Sequence, residues 1–285
     1  IITGLVAAAD IAKLAKDTTN AARYLTAADK YSNMVEKTMF TTQGVFNKTP
    51  ANGKYFLRIS ANDNPNDQGA LEERNGQAGL HESEIIDGGF LELVRYGVRP
   101  AANSAIVESL PELDNLNLDD SVRVKYEFTF PGVEGKFPGW RRYGKDGYGD
   151  GIIAGRGYTA NQMRAETRGR VWPILTGERG QYELAKAVAN NAIHNSIQTI
   201  NLDDLRNTYI KAMELFANDG FMIPEQVWDG VGGNSTYQYT TGKGTNSATP
   251  LAWSHAEYVK LLRSYSDKKV WDNNSSTAER YSKIK

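Results

Sequence analysis

The sequence predicts an all-α fold, a toroid of helices whose site is built by the connecting loops. Three observations predict it. Apolar residues recur at helical spacing in segment after segment, while only one stretch alternates clearly as a strand. The helical segments are separated by loops that are long for a compact domain, a length usually kept for function. No strand–helix alternation is present, so a doubly wound sheet is excluded.

In chain order, residues 1–16 place Leu5, Ala8, Ala9, Ala12 and Ala15 on one helical side. Thr18, Thr19 and Asn20 offer caps to a second helix over 21–40, patterned by Tyr24, Leu25, Ala28, Tyr31, Val35 and Met39. Residues 41–80 are rich in Gly, Asn, Asp and Pro and read as a loop, with a short strand near 55–59. A third helix is expected over 83–96, with Ile85, Ile86, Phe90, Leu93 and Val94 on its apolar face. A shorter one over 102–116 is interrupted by Pro111. Val122, Val124, Tyr126, Phe128 and Phe130 alternate with polar residues, the period of a half-buried strand. Residues 131–170 read as loop. Helices follow at about 173–195, 202–218 and 250–266, with a loop over 220–249. Residues 1–271 are assigned to a C-terminal portion of the toroid and 272–285 to a polar C-terminal tail.

Composition narrows the function. The 285 residues are 40% apolar and 24% charged, ordinary globular values. Lys plus Arg is 33 and Asp plus Glu is 34, a net charge of −1, so bulk charge attracts neither nucleic acid nor an anionic membrane. No run approaches the ~18 apolar residues of a membrane span. Without Cys there are no disulfides, thiolate metal sites or Cys nucleophiles. His81, His194 and His255 are scattered, so no His-based metal site is expected. The chain opens at Ile1 without an initiator Met, so position 1 is expected inside a helix of a longer polypeptide.

Several motifs fail on inspection. Gly147-Tyr148-Gly149-Asp150-Gly151 has neither the feeding strand nor the following helix of a dinucleotide fingerprint. In Gly242-Lys243-Gly244 the residue after Lys243 is Gly rather than Ser or Thr, unlike a phosphate loop. Asn62-Asp63-Asn64-Pro65-Asn66-Asp67 has groups that could hold structural calcium. It lacks the spacing and terminal Glu of an EF-hand, and a solvated turn is expected.

Three loops are more informative: 138–148, 168–180 and 220–229. Each combines Trp or Tyr with Arg, Asp or Glu. Aromatic rings pack on the C–H faces of a sugar, and charged groups bond its rim of hydroxyls. The plain alternative for any one Trp is a core residue with a single polar contact. Three such loops together favour a carbohydrate cleft. Glycoside hydrolysis needs two carboxyl groups, one to protonate the leaving oxygen and one to activate water or attack. Glu225, after Pro224 and among aromatic residues, is a candidate for the second.

These residues resemble a known family. Ile223-Pro224-Glu225-Gln226-Val227-Trp228-Asp229 resembles the general-base segment of glycoside hydrolase family 15, the glucoamylases and glucodextranases. Residues 248–258, 170–184 and 87–97 match as well, as do Arg142-Tyr143 and Asp146-Gly147-Tyr148-Gly149, in order along nearly the whole chain. The resemblance implies an (α/α)6 barrel and inverting release of β-D-glucose from non-reducing ends of α-1,4-glucans, without a cofactor. It implies Glu225 as general base and Arg142 with Asp146 as the pair holding hydroxyls of the terminal glucose. Trp172 would wall the glucose pocket, with Tyr143, Trp228 and Trp253 as further substrate contacts. Glu178 and Arg179 transfer less well and read equally as a helix-start ion pair.

One departure matters. The family's general acid lies in a Trp-Glu-Glu segment upstream of the helix that 1–16 resembles, and no such segment occurs here. Glu72-Glu73 follows Leu71 and lies in the wrong region. The chain is therefore expected to be the C-terminal half of the barrel, carrying the base without the acid. Its exposed helix faces would associate with the missing half. The alternatives are an α-1,6-acting glucodextranase and a non-catalytic carbohydrate-binding fragment.

Overall fold

The computed structural model describes residues 1–71, 80–155, 167–193 and 202–282. Glu72-Glu73 and His194 lie outside them. Helices dominate, as expected. Helix α1 (Ile2–Leu14) buries Ile2, Val6, Ala9 and Ala12 against α2 (Thr18–Met39), whose Ala28 is fully enclosed. Alanine on both sides lets the backbones come close. The start of α2 differs from expectation: its cap is Asp17, whose carboxylate accepts the Asn20 N–H at 3.0 Å.

Strands β1 (Phe40–Thr41) and β2 (Tyr55–Phe56) pair antiparallel within the first long loop. The Asn62–Asp67 turn bonds to itself, through Asn64 N–H to Asn62 Oδ1 and Asn62 Nδ2 to Asp67. The expected helix over 83–96 is mostly absent. Only α3 (Glu92–Arg95) is α-helical, preceded by a 3-10 turn at Gly89–Leu91. Ahead of it the chain is extended, because Ile86 bridges Leu57 and Asp87 bridges Tyr143, and the Asp87 carboxylate accepts the Gly89 N–H at 2.6 Å. The expected apolar face is nonetheless turned inward: Ile85, Ile86, Phe90 and Val94 are buried and Leu93 is partly buried. Helix α4 (Ser104–Leu113) runs through Pro111 unbroken.

The alternating stretch forms β3 (Lys125–Phe130), and it is half of a hairpin. Its partner, β4 (Val133–Trp140), lies where a loop was expected, paired from Lys125↔Trp140 to Phe130↔Val133. Gly135, Pro138 and Gly139 hide that strand in the sequence. Tyr126, Phe128, Phe130 and Phe137 form a core with Val171, Phe216 and Val227. A third short pair joins β5 (Asp150–Gly151) to β6 (Thr167–Arg168).

Helix α5 (Pro173–Ile193) packs on α7 (Ala252–Asp267). Gly177 and Gly180 permit this approach: a Cβ at Gly177 would stand 2.5 Å from Glu257 Cγ, and one at Gly180 3.0 Å from Leu261. The expected 202–218 helix is a π turn over Leu205–Ile210 leading into α6 (Lys211–Phe216). Within the expected polar tail, residues 275–281 form α8 (Ser275–Tyr281), tied back to α2 where Arg280 and the Tyr281 hydroxyl reach the Asp29 carboxylate at 2.7 Å.

Candidate active site

The three aromatic and charged loops meet through backbone pairing between distant residues. Trp140 pairs with Trp172, the Trp172 N–H donating to the Trp140 carbonyl at 2.9 Å. Val171 pairs with Val227 at 2.8 Å, and Val227 bridges onward to Gly244. The chain around Arg142, Trp172 and Glu225 is thus drawn into one layer over the Phe128–Phe216 core. Lys243, in the failed phosphate motif, donates from Nζ to the carbonyls of Leu215 and Ala217 and so closes the end of α6.

Arg142 and Asp146 form a two-point fork. Nε and Nη2 of Arg142 each donate to a different carboxylate oxygen of Asp146 at 2.8 Å. The Asp146 side chain is fully buried and also accepts the Tyr148 N–H at 2.9 Å. The guanidinium lies 4.9 Å from the Tyr148 ring centre, 5.0 Å from Trp172 and 5.1 Å from Tyr143. The structure therefore brings Arg142, Tyr143, Asp146 and Trp172 together, with Tyr148 added. Trp172 is buried, and its indole N–H has no hydrogen-bond partner among the described residues. Arg58, which has no selecting signal in the sequence, also stacks on Tyr143, 3.7 Å from the ring centre, and sits 3.4 Å from Asp87.

Glu225 is half-buried and lines one cavity with Tyr148. Its N–H donates to the Ala248 carbonyl at 2.8 Å, which presses the 245–248 loop against it. Gln226 holds the site together. Its side-chain amide donates to Glu225 Oε1 at 3.1 Å and to the Tyr148 carbonyl at 3.2 Å, and its oxygen accepts the Arg170 N–H at 2.7 Å. Sequence reasoning missed this residue, because an amide beside a carboxylate has no spacing signature. Glu225, Gln226, Tyr148, Asp150 and residues 245–248 line a cavity of about 310 Å³.

Beneath the cavity lies a buried ionic cluster. Arg141 donates twice to Asp229 Oδ2, at 3.0 and 2.5 Å, and Arg170 Nη1 donates to Oδ1 at 2.9 Å. Burial opposes the charge on Asp229, but Arg141 and then Arg170 outweigh it and hold the carboxyl below its ordinary range. Trp228 is buried with its ring 3.9 Å from the Arg170 guanidinium. It supports this cluster and does not line the Glu225 cavity. Trp253 stands on the first turn of α7 with 66% of its surface exposed. That turn is joined to the Glu225 segment by Ile223 N–H to His255 Nε2 and by the Ser254 hydroxyl to the Pro224 carbonyl. Glu178 and Arg179 do not pair with each other. Arg179 bonds Asp114 and Glu183, while Glu178 lies 3.7 Å from Arg95.

Comparison with known proteins bears on the family and the fold. The model of the family "Glycosyl hydrolases family 15" matches residues 2–263. The glucoamylase of Clostridium sp. (strain G0005) is 34% identical over 280 residues, covering 98% of this chain and 33% of that protein. A bacterial glucoamylase solved in complex with acarbose matches with a TM-score of 0.77 and 34% identity, over 98% of this chain and 34% of its own. The chain spans about a third of the length of these relatives. Its all-α architecture is that of their α/α barrel. With the family matched along nearly its whole length, the chain belongs to the glycosyl hydrolases of family 15.

Proposed function

We propose that this chain carries the general-base side of an exo-acting, inverting α-glucan hydrolase of the glucoamylase type. Glu225 takes a proton from water as that water attacks the anomeric carbon. The leaving oxygen takes its proton from a general acid on the polypeptide that completes the barrel, and β-D-glucose is released. Two carboxyl groups and a water suffice, so no cofactor is required. Arg142 and Asp146 hold hydroxyls of the terminal glucose, and Trp172 walls its pocket and offers an unpaired N–H to it. The observation that carries this reading is the placement of Glu225. Its carboxylate is fixed by Gln226 at the edge of a polar cavity and shares Tyr148 with the Arg142–Asp146 fork. The exposed apolar side chains Ile11 and Leu14 on α1 and Val259 on α7 fit a surface covered by the rest of the enzyme.

The test uses the intact enzyme with maltotriose and isomaltotriose and follows the released anomer by proton NMR. Initial β-glucose is expected, faster from maltotriose. Glu225→Gln should lower kcat by about 10²–10⁴-fold with little change in substrate binding. Initial α-glucose, or near-normal turnover in the variant, would overturn the assignment. Acarbose, the ligand of the similar bacterial glucoamylase, should compete with substrate here as well.

A further inference from the structure

Asp150 contributes a second carboxyl group to the Glu225 cavity, and neither the base chemistry nor the Arg142–Asp146 fork uses it. It is only 4% exposed. Its Oδ1 accepts from the Tyr239 hydroxyl at 3.3 Å, and that hydroxyl in turn accepts the Asn246 N–H at 3.2 Å. Its Oδ2 accepts no hydrogen bond among the described residues. Arg170 Nε lies 3.4 Å away without making a hydrogen bond to it; Nη1 is committed to Asp229 and the Val231 carbonyl, and Nε and Nη2 have no hydrogen-bond partner among the described residues. A buried carboxylate oxygen without a donor is costly, and few persist unless a ligand or water completes them. Burial lifts the Asp150 carboxyl to about 6 in spite of Arg170, which fits an anion short of donors. Beside the Glu225 carboxylate and the Tyr148 ring, the cavity is lined by the neutral hydroxyl and amide groups of Gln226, Thr245, Asn246 and Ser247, which suit a polyhydroxylated ligand.

We propose that Asp150 is a substrate-binding residue whose Oδ2 accepts a hydrogen bond from one sugar hydroxyl in the Glu225 cavity. The proposal rests on the glucan-hydrolase reading above. A neutral hydroxyl donor suits the position because it completes the carboxylate without adding charge beside Arg170. Such a contact discriminates sharply, because an analogue lacking the hydroxyl leaves Oδ2 buried and unpaired again.

The experiment is a kinetic double-mutant cycle in the intact enzyme. Maltose and its monodeoxy derivatives are compared as substrates for the parent and for Asp150→Asn. The variant should lose about 10- to 100-fold in kcat/KM on maltose with nearly unchanged Tm. One deoxy derivative should be poorer than maltose by a similar factor in the parent, yet no poorer than maltose in the variant. Tyr239→Phe, which removes the donor to Oδ1 and keeps the carboxylate, should retain that deoxy penalty in full. If every deoxy penalty survives undiminished in Asp150→Asn, or if Tyr239→Phe reproduces its profile, the proposal is overturned and Asp150 only shapes the 245–248 loop. Should Asp150→Asn not fold, Asp150→Ser is read in the same way. Glu225→Gln carried in parallel separates the two readings. Turnover retained there removes the base assignment, whereas the deoxy coupling at Asp150 is read independently of it.

Discussion

Gly169 tests whether the Arg142–Asp146 fork works as a rigid unit. A Cβ built on it would lie 2.5 Å from Asp146 Oδ2, 2.6 Å from Cγ and 3.1 Å from Cβ. The backbone tolerates alanine, so the strain falls on the Asp146 carboxylate, which must retreat by roughly 1 Å to reach ordinary contact. It has nowhere to go without breaking bonds. The side chain is fully buried, and its two 2.8 Å bonds to Arg142 and its 2.9 Å bond from Tyr148 N–H are all near their optimum length. Losing the fork removes charge-assisted hydrogen bonds worth about 1.5–3 kcal/mol. In substrate binding that is a 10- to 100-fold rise in KM, if Arg142 then swings off the glucose hydroxyls. The assay is steady-state hydrolysis of maltose by the intact enzyme carrying Gly169→Ala, with Tm measured on the same preparation. A raised KM with a modest fall in Tm is expected. Unchanged KM and Tm together would refute the reasoning, because the backbone would then have absorbed the methyl and the fork would not be rigid.

Three further changes probe other parts of the molecule. Trp172→Phe removes a buried N–H that has no partner among the described residues, so stability should hold or rise by about 1–3 kcal/mol while KM rises about three- to tenfold; a KM equal to the parent's would leave that N–H without a role in binding. Asp229→Ala strands Arg141 and Arg170 in the interior and should destabilise the chain by about 3–5 kcal/mol in urea titrations; a loss below about 1 kcal/mol would show that the cluster does not hold the loops. Burial raises Glu178 to about 8 against the pull of Arg95, so the folded state keeps a proton that the unfolded state gives up from its ordinary value of 4.5. The stability due to that proton is complete below 4.5 and is lost as pH rises towards 8. Glu178→Gln, which cannot ionise, should therefore lose less Tm than the parent between about pH 5 and pH 8; parallel losses in the two proteins would count against a raised Glu178.

The sequence by itself determined the fold class and most of the long helices. The reason is local: a period of 3.6 residues is written within one segment, and burial of that face follows whatever it packs against. The ranges of α2, α5 and α7 were legible in this way, although the face read for α2 was not the buried one, since Tyr31 is exposed while Ala21, Ala28 and Ser32 are buried. So was the alternation of Val122 to Phe130, and so were the residue types of the loops that meet around Arg142, Trp172 and Glu225. Tertiary structure decided what no segment contains. Ile85–Asp87 is extended because Leu57 and Tyr143 pair with it, overriding a helical pattern that still buries the intended side chains. The Gly- and Pro-bearing 133–140 segment is a strand because β3 supplies its partner. The same reason separates the tryptophans. Trp172, Trp228 and Trp253 look alike in sequence, yet one packs beside the Arg142 fork, one lies under Arg170 and one faces solvent. The roles of Gln226 and Asp150 also depend on partners dozens of residues away, Arg170 and Tyr239 among them. A sequence carries the chemistry of a site in its residue types; which atoms are left without a partner, and so are free to bind, is fixed only when distant segments pack.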